Sequence, residues 1–313
     1  MKTSVIIPSK NGLHHLKDCL PSVIKAVKNA PYEVEVVVVD DNSTDGSIET
    51  LPTIFPQIKV VKNPKQGTCS ARNFAVANSK GDWLLFIDND VFLEEDFFIK
   101  TEKYLKDDIF CISCCNYLAA ETNKQLDGIK LLSWKRGFPR FTENIYNSSL
   151  KPNKIYPCFG VQGACFFCKR EKFLQLNGYD EDLFEPYLLE ETDLMYRGLK
   201  RGWKIIYAPD THPLHKCGGT IQSRVSKRTQ FLSRRNRMIF VWKNITSKRL
   251  LLSNIFWSVL RPEFRVLKEV FKMRKIIKAK RKEELQDIRV PDLQVLKQSN
   301  ELLQEFKNSA KHE

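Results

Sequence analysis

The chain has 313 residues, of which 42% are hydrophobic and 28% are charged, and its formal net charge is +14. This composition is typical of globular proteins and excludes fibrous and disordered ones, and the length suffices for one large domain or two smaller ones. No apolar run approaches the ~18–20 residues that a membrane-spanning helix needs. The first residues enter a short apolar run at once, without the basic and apolar regions of a secretion signal, so we expect a cytoplasmic protein.

The excess of positive charge lies in one segment of the chain. Residues 1–223 hold 28 basic and 28 acidic residues, whereas residues 224–285 hold 19 basic and 4 acidic ones. Residues 286–313 hold 4 basic and 5 acidic residues. We therefore predict one domain over residues 1–223, followed by a basic helical extension over residues 224–313.

Apolar runs and helical patterns alternate along the first hundred residues. Continuous apolar runs predict strands at residues 5–7, 36–39, 58–61 and 83–87. Apolar residues three and four positions apart predict a helix at about residues 13–27, and a second helix is predicted at residues 70–79. Strands that are apolar throughout and separated by helices are typical of a parallel sheet with helices on both faces. The sequence thus predicts an α/β fold with a doubly wound, mainly parallel sheet.

Acidic residues follow two of these strands. Asp40 and Asp41 come at the end of the second strand, and Asp88 and Asp90 follow the fourth. Turns and helix caps could explain one such cluster, but two at neighbouring strand ends favour a ligand site, because ligands of open α/β sheets bind there. Carboxylates suit Mg²⁺ and Mn²⁺, and the chain lacks glycine-rich phosphate-binding motifs. A metal and a cation such as Arg72 are therefore left to hold a diphosphate.

The second half of the predicted domain is less regular. Residues 120–157 show no clear period, and we predict a long irregular insertion near the site. A helix beginning near Leu189 carries Glu190, Glu191 and Asp193 in its first turn, a position that the helix dipole also favours for acids. His215 follows a strand that is predicted at residues 204–207.

The nine cysteines are interpreted as reduced core residues. Cys165 and Cys168 have the spacing of a zinc knuckle, but they lie in an apolar run that predicts a strand, which would place their sulfurs on opposite faces. Because free cysteine is among the most buried residue types, we expect packing rather than metal binding or disulfides.

The basic extension is predicted to be an amphipathic helical segment. Its apolar stripe runs from Leu250 to Ile277 among many lysines and arginines. Two interpretations stay open: the stripe packs on the domain, or residues 248–285 bind an anionic membrane surface. Nucleic-acid binding by residues 224–285 is a further alternative, but the segment lacks a nucleic-acid-binding motif, and we expect no nucleic-acid partner.

Several short motifs, in this order, resemble those of the family 2 glycosyltransferases of GT-A fold. The motifs that carry the resemblance are residues 5–11, 39–47, 86–90, 178–181, 190–194, 207–210 and 215–216. The Asp88-Asn89-Asp90 triplet matches the D-x-D pattern of the family, which is weak evidence by itself but strong as part of the ordered set. The resemblance covers about residues 3–220.

This resemblance implies residues that bind a nucleotide diphosphate sugar. Pro8 and Asp41 would line the pocket of the nucleotide base, with Asp41 accepting a hydrogen bond from a pyrimidine N–H. Arg72 would lie near the diphosphate or the base. Asp88 would lie near the ribose or the sugar, and Asn89 would belong to the same binding site.

The resemblance also implies a metal site and a catalytic base. Asp90 and His215 would bind a divalent metal, Mg²⁺ or Mn²⁺. Glu191 falls at the position of the base, where the family commonly has aspartate, and Glu190 and Asp193 are its rivals. A single carboxylate base that activates the acceptor hydroxyl implies inversion at the anomeric carbon.

The implied function is transfer of the sugar to a hydroxyl of a glycan or a lipid-linked acceptor, in bacterial surface-polysaccharide or cell-wall glycan assembly. Residues 1–100 would form the nucleotide-sugar half of the domain and residues 101–223 the acceptor half. The implied location is the cytoplasm, peripheral on the inner face of the cell membrane. A catalytically idle, membrane-associated scaffold of the same fold is the alternative.

Overall fold

A computed structural model describes residues 1–150, 154–216 and 226–309 of the chain. Its strands are β1 (Lys2–Ser9), β2 (Glu33–Asp40), β3 (Lys59–Lys62), β4 (Trp83–Ile87), β5 (Val91–Phe92), β6 (Ile109–Cys114), β7 (Tyr117–Leu118), β8 (Glu121–Gln125), β9 (Ile129–Lys135), β10 (Phe138–Ile145), β11 (Tyr156–Pro157), β12 (Cys165–Lys169), β13 (Lys204–Ala208) and β14 (Leu214–His215). Its helices are α1 (Leu13–Lys28), α2 (Ser47–Ile54), α3 (Thr68–Ala77), α4 (Phe97–Glu102), α5 (Arg170–Gln175), α6 (Glu181–Phe184), α7 (Glu190–Lys200), α8 (Lys227–Asn244), α9 (Lys248–Leu260), α10 (Phe264–Lys272), α11 (Arg274–Leu285) and α12 (Asp292–Ser309).

The largest sheet has eight strands in the order β11-β13-β6-β12-β4-β1-β2-β3. Strands β4, β1, β2 and β3 are mutually parallel neighbours, and β13 is parallel to β6. Strand β12 lies antiparallel between β4 and β6, which joins the two parallel groups. The predicted α/β fold with a mainly parallel sheet is confirmed, and the four strands predicted in the first hundred residues correspond to β1, β2, β3 and β4.

Both faces of this sheet are covered, and successive residues of one strand enter opposite cores. Phe86 belongs to one hydrophobic cluster, whereas Leu85 and Ile87 belong to the other. Cys165 and Cys168 are divided between the two clusters in the same way, as the strand periodicity predicted. All the cysteines within the described ranges are buried and free, so their interpretation as core residues is confirmed there. Cys217 lies outside the described residues.

The prediction of an irregular insertion at residues 120–157 was wrong. Strands β9 and β10 form an antiparallel hairpin whose turn, Arg136 and Gly137, has positive φ angles of 52° and 80°. A side chain at position 137 would lie 2.9 Å from the Cα atom of Asn254 in α9, so the tight turn packs directly on the C-terminal helices. The strand pattern was hidden because β9 packs on a helix distant in sequence, α12, where Ser299 Oγ accepts a hydrogen bond from the Leu132 N–H at 2.8 Å.

Helices α8 to α12 pack into the same core as the sheet. Their buried side chains Ile239, Val270 and Val295 belong to the hydrophobic cluster that contains Phe86. Asp292, at the start of α12, accepts hydrogen bonds from Tyr196 Oη in α7 (2.7 Å) and from the backbone N–H groups of Thr246 and Ser247, directly before α9. The C-terminal segment is therefore joined to the domain, and a boundary at residue 223 stays a prediction.

Within the described ranges, none of the helices combines the length and the hydropathy that crossing a bilayer requires.

Candidate functional site

The polar strand ends meet at one edge of the main sheet. β1 lies between β2 and β4 and runs parallel to both, so the carboxyl ends of all three strands face the same side. This places Asp41, after β2, on the same side as Asp88 and Asp90, after β4. Pro8 pairs in register with Val39 near the end of β1 and is half-buried. The edge therefore brings together the strand-end residues that the sequence singled out.

Asp41 is held in a fixed orientation by donors from two neighbouring segments. Its Oδ1 atom accepts hydrogen bonds from Asn63 Nδ2 at 2.8 Å and from the Gly67 N–H at 2.9 Å. A side chain at position 67 would collide with the Glu185 carboxylate, which itself accepts from the Ser70 N–H at 2.9 Å at the start of α3. The side-chain position of Asp41 is thus fixed before any ligand binds.

Asn89 fastens the Asp88-Asn89-Asp90 turn to its surroundings. Its Nδ2 atom donates to Ser9 Oγ at 2.9 Å, and a side chain at position 12 would collide with that same amide. The contact of Asn89 with Ser9 therefore fixes the turn that carries the Asp88 and Asp90 carboxylates. Its assignment to nucleotide-sugar binding stays a prediction.

Arg72 lies at the centre of a buried cluster of acids. Its Nη1 atom is 3.0 Å from Glu191 Oε1 and 3.3 Å from Glu190 Oε1, and its Nη2 atom is 3.6 Å from Asp88 Oδ1. The guanidinium also lies over the ring of Tyr179, 5.6 Å from its centroid. One cation therefore faces three carboxylates from α7 and the end of β4.

This cluster leaves polar atoms and charge uncompensated. Arg72 Nε, Glu190 Oε2 and Tyr179 Oη have no hydrogen-bond partner among the described residues. Burial and the neighbouring Glu191 carboxylate raise the pKa of Glu190 to about 8, although Arg72 opposes the shift. The Glu191 side chain keeps 18% of its surface exposed, compared with 6% for Glu190, so Glu191 is the more accessible of the two.

Asp193 lies in a separate network that does not include Arg72. Its carboxylate oxygens accept hydrogen bonds from Arg197 Nε at 2.7 Å, Lys243 Nζ at 2.9 Å and Asn244 Nδ2 at 2.8 Å. Burial opposes ionisation, but the charges of Lys243 and Arg197 outweigh it and keep the pKa of Asp193 below its usual value. Asp193 therefore ties α7 to α8 and has no oxygen left for an acceptor.

Asp88, Asp90 and His215 form a group that could hold a metal ion. One candidate ligand atom from each residue lies within 4.8 Å of the other two. His215 reaches this position because β14 pairs antiparallel with β5, which sets His215 opposite Val91. His215 Nε2 is 3.1 Å from Asp90 Oδ1. Although burial lowers the pKa of His215, the hydrogen bond and charge of Asp90 raise it above its usual value.

Residues that the sequence did not single out support the segment that leads into α7. Leu188 and Leu189 enter α7 with positive φ angles of 80° and 69°, an unfavourable conformation for leucine. Asn236 of α8, fully buried, donates to the carbonyl oxygens of Tyr187 (3.1 Å) and Leu188 (2.7 Å). No local pattern in the sequence signals this contact. Asn63 carried a signal, because it is a polar residue directly after β3.

Comparisons with known proteins agree with this fold. An uncharacterized glycosyltransferase of Haemophilus influenzae is 27% identical over 203 residues, which are 63% of this chain and 62% of that protein. The poly(ribitol-phosphate) beta-glucosyltransferase of Bacillus spizizenii is 28% identical over 173 residues, which are 50% of this chain and 26% of that protein. The chain spans less than two thirds of the length of the curated relatives it matches.

The crystal structure of GalNAc-T7 with UDP, GalNAc and Mn²⁺ superimposes with a TM-score of 0.63 at 18% identity, covering 89% of this chain and 54% of that one. This similarity shows a shared GT-A-type fold. The family model for glycosyl transferase family 2 matches residues 4–176, more than half of the chain. The strand-end acids, the sheet topology and this match lead to one conclusion: the chain belongs to glycosyl transferase family 2.

Proposed function

We propose that the chain is an inverting, metal-dependent glycosyltransferase that moves a sugar from a nucleotide diphosphate sugar to a hydroxyl group. The observation that carries the proposal is the position of Glu191, a partly exposed carboxylate held by Arg72 beside the Asp88, Asp90 and His215 group. A base, a charged anchor and a group of potential metal ligands are the parts that such a transfer requires.

In this proposal the donor lies along the polar edge of the main sheet. Pro8 and Asp41 contact the nucleotide base, and the fixed Asp41 carboxylate accepts a hydrogen bond from a base N–H. Asp88 lies near the ribose or sugar, and Asn89 belongs to the same binding site. Arg72 orients Glu191 and Asp88 and offsets their negative charge, which supports a positioning role next to the diphosphate.

The residues Asp88, Asp90 and His215 fit a divalent metal such as Mg²⁺ or Mn²⁺. Two carboxylates and an imidazole form an incomplete ligand set, which leaves positions for phosphate oxygens. When bound, the metal supplies positive charge that stabilises the departing diphosphate. Mn²⁺ accompanies UDP and GalNAc in the GalNAc-T7 structure, which supports this assignment.

Glu191 is the proposed base. The acceptor oxygen forms a bond to the anomeric carbon while the bond from that carbon to the diphosphate oxygen breaks and its electron pair leaves with the nucleoside diphosphate. Glu191 takes the proton of the acceptor hydroxyl. Attack from the face opposite the leaving group inverts the anomeric centre. Glu190 is the weaker candidate, because a carboxyl with a pKa of about 8 is largely protonated at neutral pH.

The proposed acceptor is a glycan or a lipid-linked glycan of bacterial surface-polysaccharide or cell-wall assembly. The name of the Bacillus relative specifies a poly(ribitol-phosphate), a polymer that offers hydroxyl groups, which supports a polymeric acceptor. For such an acceptor we propose a cytoplasmic location, peripheral on the inner face of the cell membrane.

A panel of nucleotide sugars tests the proposal. Purified full-length protein is incubated with each donor and Mn²⁺, and the release of nucleoside diphosphate is measured with and without a chelator. We expect metal-dependent consumption of at least one donor. Asp90→Asn serves as the matched control and should remove that consumption. If the protein neither binds nor consumes any donor of the panel, the enzyme assignment is contradicted. Donor binding without any turnover would identify a catalytically idle scaffold.

A further inference from the structure

Helices α9 and α10 present a large apolar face to solvent. Its six side chains are 57–77% exposed: Leu252, Ile255, Phe256, Val259, Leu260 and Phe264. The first five recur at three- and four-residue spacing on α9, so they lie along one side of that helix. Contiguous exposed apolar surface of this kind marks an interaction site in a folded protein.

The opposite side of α9 is anchored in the domain. Leu250 and Asn254 are buried, and Asn254 Nδ2 donates to the Gly137 carbonyl oxygen in the β9–β10 turn at 3.0 Å. The sequence predicted one apolar stripe from Leu250 to Ile277, but the structure divides it. Val266, Val270 and Ile277 enter the core with Leu250, whereas the α9 side chains of the apolar face, from Leu252 to Leu260, remain outside. Because the inner side of α9 is already packed on the domain, its apolar face cannot be buried by the same contact and stays exposed.

Basic residues are concentrated in the segment that carries this apolar face. Residues 248–282 contain twelve basic and two acidic residues. The acids are both paired, Glu263 with Arg234 at 3.3 Å and Glu269 with Lys272 at 2.7 Å. Exposed cations precede, interrupt and follow the face in the chain: Lys248, Arg249, Arg261, Arg265, Lys268, Arg274 and Lys275. The surface combines apolar side chains with a strong positive field.

We infer that this surface, Leu252–Phe264 together with the exposed basic residues of the same segment, docks on an anionic lipid bilayer. The apolar side chains enter the boundary between headgroups and acyl chains, and the cations contact anionic headgroups. A second copy of the chain is disfavoured as the occupant, because two faces with the same excess of positive charge repel each other. The membrane docking itself does not depend on the proposed function. Only its role, to hold the enzyme at a lipid-linked acceptor, rests on that function.

Vesicle binding by the full-length protein tests the inference. Mixed vesicles of phosphatidylcholine and phosphatidylglycerol are compared with vesicles of phosphatidylcholine alone in a sedimentation assay. The variant Phe256→Ser/Val259→Ser/Phe264→Ser should bind the mixed vesicles at least about tenfold more weakly. The variant Arg261→Glu/Lys268→Glu/Lys275→Glu should lose about 100-fold or more, since each basic residue near an anionic surface strengthens binding about fivefold.

A matched control substitutes exposed apolar residues elsewhere. Ile54→Ser/Ile99→Ser/Leu174→Ser removes side chains that are 46–55% exposed, and its vesicle binding should equal that of the unmodified protein. Circular dichroism melts verify that all three variants fold. Equal binding by the apolar variant and the unmodified protein would overturn the inference, as would absence of vesicle binding at low salt.

The same surface could instead bind a second copy of the chain or DNA, and each alternative gives a distinct experimental result. A dimer in analytical ultracentrifugation that the apolar variant dissociates would assign the face to a second copy and overturn the inference. Duplex DNA that binds at physiological salt and displaces the vesicles, with equal affinity for the apolar variant, would also overturn it. Donor binding is measured in the same samples without lipid. Its absence would contradict the proposed function and leave the vesicle result intact.

Discussion

Two buried clusters of charged side chains lie on the same helix, α7, and their charges are compensated to different degrees. In the first turn, Glu190 and Glu191 share the cation Arg72 with Asp88. Asp193, two and three residues later, is surrounded by donors on both carboxylate oxygens. The pKa of Glu190 is raised to about 8, whereas that of Asp193 lies below its usual value.

This difference in charge compensation distinguishes the candidate site around Arg72 from the structural network around Asp193. Asp193 faces Arg197 and Lys243, and its negative charge is stabilised in the folded protein. Among the residues that the structure describes, the Arg72 cluster has more acids than cations and contains buried polar atoms without hydrogen-bond partners, so a ligand or a proton can still be accommodated there. Residue type and sequence position are nearly the same in the two clusters. The partners from distant segments decide the role of each acid.

The largest effect is expected from removal of the proposed base. Glu191→Gln should retain donor binding and lose turnover by up to about 10⁴-fold, equivalent to about 5 kcal/mol in the barrier, because the amide cannot accept the hydroxyl proton. Turnover is measured by nucleoside diphosphate release and donor binding by calorimetry. Glu190→Gln is the matched control and should retain most of the activity. If Glu190→Gln proves to be the inactive variant, Glu190 is the base and our assignment is wrong.

Removal of Asp193 should act on stability. Asp193→Ala removes a buried partner of Lys243 and Arg197, although Lys243 keeps Asp180 at 2.8 Å, and should lower the free energy of unfolding by about 3 kcal/mol. Urea unfolding measures the loss. The control is Asp182→Ala, which breaks an exposed 3.3 Å pair with Lys280 and should cost less than about 1 kcal/mol. Equal losses in the two variants would contradict the contrast between compensated and exposed acids.

Mn²⁺ should stabilise the folded protein by binding to Asp88, Asp90 and His215. At a free concentration of one hundred times its Kd, the ion should add about 2.7 kcal/mol to the free energy of unfolding. The effect is measured by urea unfolding with and without a chelator. In Asp90→Asn the stabilisation should be absent, since one of the three candidate ligands is lost. An undiminished effect in this variant would place the ion elsewhere.

The last effect, similar in size to that of Mn²⁺ but spread over two pH units, concerns pH. A carboxyl whose pKa is raised from 4.5 to about 8 on folding binds its proton more tightly in the folded state, so stability should fall as pH rises through this window. The contribution of Glu190 should reach about 1.4 kcal/mol per pH unit between pH 5 and 7, measured in chelator. Glu190→Gln should flatten this decline. A slope identical to that of the unmodified protein would mean that Glu190 is ionised in the fold.

Much of the fold could be predicted from local pattern. The runs that became β1, β2 and β4 are apolar on both faces, and this property appears directly in the sequence. The β9–β10 hairpin could not be recognised, because its apolar side chains are buried by α8 and α12 rather than by neighbours in sequence. The apolar stripe of the C-terminal segment was visible, but its division into buried and exposed parts depends on which side of each helix meets the domain.

The sequence by itself determined the α/β fold, the acids at the strand ends and the concentration of positive charge after residue 223, since each follows from composition or from a short period. Only the tertiary structure decided which acids share Arg72 and which are neutralised by Lys243. Arg72 and Glu190 are separated by 118 positions, and Asp193 and Lys243 by 50. Charge compensation depends on distances of a few ångströms in space, and no local pattern along the chain records those distances.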